Sequence, residues 1–156
     1  MIHTQNTFKI KADGTSYMID LTGNKITEGT NTVGDLMIWL KRAANIKPRE
    51  KYEWSFGMAA VDGGLVDVSN GDYLNEAPAT GYQGEYRLDM NPANPRWRGW
   101  DEQRTFFFKS QDGKHYGHIR IRINPDHRDG ASLEVDSFMN PAGSRNLEFD
   151  PAKQIR

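Results

Sequence analysis

The stretch NPANPRWRGW, residues 91–100, sets Trp97 and Trp100 three positions apart among Arg96, Arg98, Pro92 and Pro95. An indole presents a large, rigid, weakly polar face to the axial C–H bonds of a sugar ring, and guanidinium groups beside it donate to hydroxyls. Trp97, Arg96 and Arg98 are therefore candidate carbohydrate-binding residues. The competing reading is architectural: one or both indoles plug the edge of a core, and the arginines stack on them with no ligand. Position suggests a division of labour. Trp100 directly precedes DEQR and the apolar TFFF, so it is expected in the core. Trp97, between two arginines and close to Pro95, is expected to face a ligand from a rigid loop.

A second aromatic group depends on strand register. The segment RTFFFKSQDGKHYGHIRIRI has Asp112-Gly113 at its centre, a strong two-residue hairpin signal. With the turn there, Phe106 opposes Ile119, Phe107 opposes His118, Phe108 opposes Gly117 and Lys109 opposes Tyr116. The following ASLEVDSFM then pairs Ile123 with Leu133, Ile121 with Val135, Arg122 with Glu134, Arg120 with Asp136 and His118 with Phe138. One register makes both faces consistent, and a slip by one residue destroys both. Phe107, Tyr116 and His118 fall on the face with the charged pairs, where they form either a sugar platform or a surface covered by the rest of the chain.

Oxygen ligands concentrate in VDGGLVDVSNGDYLNE. Asp67, Asn70 and Asp72 are candidate calcium ligands, with Asp62, Ser69 and Glu76 nearby; calcium is the one cofactor the sequence offers. The alternative is that Asp, Asn and Gly close tight bends there. His115 and His118 lie on opposite strand faces and cannot easily share an ion, while His3 and His127 are isolated. No GxSxG, HExxH or P-loop pattern occurs, which leans against an enzyme without locating or excluding a carboxylate pair.

These residues need a frame. The chain has 156 residues, 37% hydrophobic and 11% aromatic, enough for a single packed domain over 1–156. A net charge of −1 attracts neither nucleic acid nor anionic membrane globally, and the acids opposite Arg120 and Arg122 cancel them locally. No cysteine is present, so disulfides and thiolate chemistry are excluded. No apolar run approaches the roughly 20 residues of a membrane-spanning helix. Alternating patterns dominate. FKIKADGTSYMID is expected to be a hairpin around Asp13-Gly14, with Ile10 facing Tyr17 and Phe8 facing Ile19. LTGNKIT reads as a tight turn, DLMIWLKR as a strand, ANIKPRE as a loop, and EYRLDM as a short strand. YEWSFGM sends Tyr52, Trp54, Phe56 and Met58 to one side. NLEF is expected as a final short strand. The sum is an all-β antiparallel sandwich, Ig-like or jelly-roll-like, of about eight strands.

DGTSYMIDLTGNKITEGT, EKYEWSFGMAAVDGGLVD, EAPATGYQ and NPAGSRNLEFD together resemble the C-terminal module of large uncharacterised secreted bacterial proteins, where it follows β-rich or carboxypeptidase-regulatory-like domains. The resemblance runs from about residue 13 to about residue 150. It implies an exported β-domain, one part of a longer chain at the cell surface or outside it, with the export signal expected outside this stretch. It brings no catalytic residues. The function expected is a non-catalytic extracellular module that binds polysaccharide. The alternative is a structural domain that packs against neighbouring domains or self-associates.

Overall fold

The computed structural model describes residues 2–29, 33–68, 81–127, 130–140 and 142. They form an all-β sandwich of two antiparallel five-stranded sheets. The first sheet has the order β1 (Ile2–Ile10), β10 (Gly130–Asn140), β9 (His115–His127), β8 (Glu102–Ser110) and β6 (Gly64–Asp67). The second has the order β3 (Lys25–Glu28), β2 (Asp13–Asp20), β4 (Leu36–Arg42), β5 (Trp54–Ala60) and β7 (Glu85–Met90). Ten strands replace the expected eight or so; the extra ones, β3 and β6, have four residues each and sit at sheet edges.

Alternation builds the core. Phe106, Phe108, Ile119, Ile121, Ile123, Leu133 and Val135 point inward from the first sheet, and Leu36, Ile38, Leu40, Trp54, Phe56 and Met58 meet them from the second. The meander β8–β9–β10 has the register the sequence dictates, including Phe106↔Ile119, Ile123↔Leu133, Arg120↔Asp136 and His118↔Phe138. Asp112 and Gly113 both take positive φ at its turn, 58° and 81°, as a tight hairpin requires.

The hairpin expected at Asp13-Gly14 does not form. β1 pairs with β10, whereas β2 pairs with β3 and β4 in the opposite sheet. Two amphipathic strands satisfy the same alternation whether they lie side by side or face each other across a core. Asp13-Gly14 instead makes an irregularity in the β2–β4 ladder between Asp13 and Ser16. Gly14 has φ of 89°, and the Asp13 carboxylate accepts from the Thr15 amide at 3.0 Å. NLEF lies outside the described residues.

Candidate functional site

β4 joins the sheets at both ends. Just before it, Asp35 is 2% exposed and reaches the first sheet. Its Oδ1 accepts from Ser110 Oγ at 2.8 Å and lies 2.7 Å from His115 Nδ1; its Oδ2 accepts from the Leu21 amide at 3.1 Å. The trio has the residue types of a hydrolase triad but not the order. Ser110 is fully buried and bonds to the carboxylate rather than the imidazole, so the serine–histidine contact of a triad is not made. Asp35 is thus an inter-sheet clamp beside a small pocket of about 330 Å³.

At the far end of β4, Arg42 Nη1 donates to the carbonyls of Pro125 and Gly130, both at 2.9 Å, and to Asp126 Oδ1 at 3.0 Å. Here a groove of about 870 Å³ opens, walled by the 45–52 segment on one side and by Trp97, Gly99 and Trp100 on the other.

Reciprocal bonds hold the tryptophan loop. Trp97 Nε1 donates to the Tyr52 carbonyl at 2.8 Å, Tyr52 Oη donates to the Gly99 carbonyl at 2.9 Å, and Trp54 Nε1 donates to the Arg98 carbonyl at 2.9 Å. Tyr52 and Trp97 pack edge to face at 5.3 Å. Gly99 is required: a Cβ there would lie 2.5 Å from the Trp97 ring. Burial holds the Tyr52 phenol neutral by pushing its pKa up to about 12, with the nearby Asp126 charge adding to the effect and Arg42 opposing it.

The burial of the two indoles is the reverse of the expectation. Trp97 is partly buried against the core, whereas Trp100 is 64% exposed with the Arg98 guanidinium 4.8 Å from its ring centre. Nearness to β8 in sequence does not bury Trp100, because Tyr52 and Trp54 already take the inward positions. The other two tryptophans are not available for stacking in this way: Trp54 is buried, and Trp39 lies against Gly57 under Arg87. Arg96 is exposed on the same loop, with no carboxylate partner among the described residues. Asp101, at the loop's end, is bound to Arg122 at 2.8 Å, and that hydrogen bond holds its carboxyl below the usual carboxylate range.

Phe107, Tyr116 and His118 lie elsewhere, on the outer face of the first sheet. They form a small second core rather than a flat open platform. Phe107 is 1% exposed, with Val66, Val68, Tyr82 and Tyr116 packed round it. Burial also lowers the His118 pKa. The structure does not bring this group into the groove. Of the calcium candidates, Asp67 is exposed at the end of β6, while Asn70 and Asp72 lie outside the described residues. Among the described residues no helix is long and apolar enough to cross a membrane.

Sequence reading missed Arg42, Asn45, Lys47, Arg49, Lys51 and Tyr52. The available signal was the basic run KPREK beside the aromatic YEW, a second basic-aromatic mixture like RWRGW. Comparison with protein families, with curated proteins and with solved structures finds no match.

Proposed function

We propose that this chain is a non-catalytic extracellular module that binds carbohydrate in the groove at the Arg42 end of the sandwich. The observation that carries this reading is Trp100: a large indole face held out in solvent by a loop that three hydrogen bonds fix in place. A rigid aromatic loses little entropy when a ligand stacks on it. Asn45 and Lys51 line the groove with donors for sugar hydroxyls, and Arg96 and Arg98 are exposed on the loop that carries Trp97 and Trp100. Trp97 supplies the groove wall rather than the stacking surface. Export and membership of a longer surface protein follow from the resemblance described above and belong to the same proposal.

A glycan array with the purified domain tests it. Wild type is expected to bind, and Trp100→Ala to lose binding while keeping its melting temperature. An array with no hits, or equal binding by Trp100→Ala, rejects the reading.

The second reading, an interaction domain, has one supporting observation. Among the described residues β1 is a nine-residue strand at the edge of its sheet, where its outer row of backbone groups can pair with another chain. Concentration-dependent association in sedimentation, abolished by a proline at Asn6 or Thr7, would favour it.

A further inference from the structure

We propose that the sugar taken by the groove is anionic: a polysaccharide carrying carboxylate or sulfate groups. This rests on the carbohydrate reading and sharpens it. The chain as a whole has net charge −1, yet the groove is lined by Arg42, Lys47, Arg49 and Lys51 against two carboxylates, Glu50 and Asp126. Asp126 is already committed to Arg42. Lys47, Arg49 and Lys51 have no carboxylate partner among the described residues, and Lys51 leans over the Trp97 ring at 5.8 Å. Arg96 and Arg98 add charge on the facing loop, and only Arg98 has a carboxylate near, Asp101 at 3.9 Å, which Arg122 holds more closely.

A cluster of unpaired cations in a slightly acidic protein has a self-repulsion that an anionic ligand relieves. Arg49 can clamp a carboxylate or sulfate with two parallel bonds, and the lysines act as point charges. Single-stranded nucleic acid also suits a basic groove with aromatics, but its sites stack successive bases on several rings. Here only one indole is well exposed, too few rings for a run of stacked bases.

The test compares matched polymers by isothermal titration: polygalacturonate against its fully methyl-esterified form, and dextran sulfate against dextran, with a dT oligomer as a control. Binding to a charged member and at least tenfold weaker binding to its neutral partner supports the proposal, and the pair that shows it identifies carboxylate or sulfate as the source. Added salt is expected to weaken that binding. The triple variant Lys47→Ala/Arg49→Ala/Lys51→Ala is expected to lose about two- to fivefold per cation and to flatten the salt dependence, at an unchanged melting temperature. Trp100→Ala is expected to weaken binding with the salt dependence kept. Equal binding to charged and neutral partners overturns the anionic assignment and leaves the carbohydrate reading standing. Tighter binding to the dT oligomer, or no binding to any polymer, overturns both.

Discussion

The two ends of β4 solve one problem in opposite ways. Each must tie the sheets together where the apolar core runs out. At Asp35 a buried carboxylate collects a hydroxyl, an imidazole and a backbone amide. At Arg42 a partly exposed guanidinium reaches two carbonyls and one carboxylate. The carboxylate end closes tightly, because short side chains meet across little space. The guanidinium end stands apart by the length of an arginine, and the 45–52 and 91–101 loops frame the space left over. Stability is therefore expected to concentrate at the first end and recognition at the second.

Substitution separates them. Asp35→Ala strips the Ser110 hydroxyl and the Leu21 amide of their acceptor. A buried donor left unpaired costs about 1–3 kcal/mol, so the total expected is about 3–5 kcal/mol by urea denaturation. Asp35→Asn, which keeps an acceptor and the shape, is expected to cost less. Arg42→Met keeps the apolar stem, and water can reach the carbonyls it abandons; about 1–2 kcal/mol is expected. A larger loss for Arg42→Met than for Asp35→Ala would reverse the comparison.

The tryptophans divide in the same manner on a smaller scale. Trp97→Ala removes a partly buried ring and the bond to the Tyr52 carbonyl, and is expected to cost about 2 kcal/mol, below the cost of a fully buried tryptophan. Trp100→Ala is expected to change stability by no more than about 0.5 kcal/mol, as for other surface positions. Equal losses would show that the loop is scaffolding throughout.

What the sequence made legible follows from how many constraints act on one register. In the β8–β9–β10 meander the Asp112-Gly113 turn, the apolar face and the opposed charges of Arg120–Asp136 and Arg122–Glu134 all agree. At Asp13-Gly14 only the turn signal and one apolar face were present, and neither says which strand is the partner. The clamp was illegible for a different reason. Asp35 meets Ser110 and His115 at 75 and 80 residues' separation, through a fold no local pattern encodes. The choice between Trp97 and Trp100 was likewise made from afar, by Tyr52 and Trp54, more than 40 residues upstream.

A single hydrogen bond isolates the groove end by pH. Tyr52 donates to the Gly99 carbonyl only as a neutral phenol. Its pKa in the folded protein is pushed up to about 12 from an ordinary 10.0, chiefly by burial. Between those values the folded chain retains a proton that the unfolded chain has lost. Stability is thus complete below pH 10 and declines as pH rises through that window. Tyr86, whose phenol is also raised by burial, contributes a decline of its own from the side of β7. The informative quantity is then the difference between wild type and Tyr52→Phe. At neutral pH the variant loses one hydrogen bond, about 0.5–1.5 kcal/mol. Above pH 10 the advantage of wild type is expected to shrink, because its unfolded chain gains stability by losing the Tyr52 proton and the variant has no such group. Curves that stay parallel into alkali would mean that the Tyr52 hydroxyl is already solvated, and that the loop bearing Trp100 is held by Trp54 and Trp97 alone.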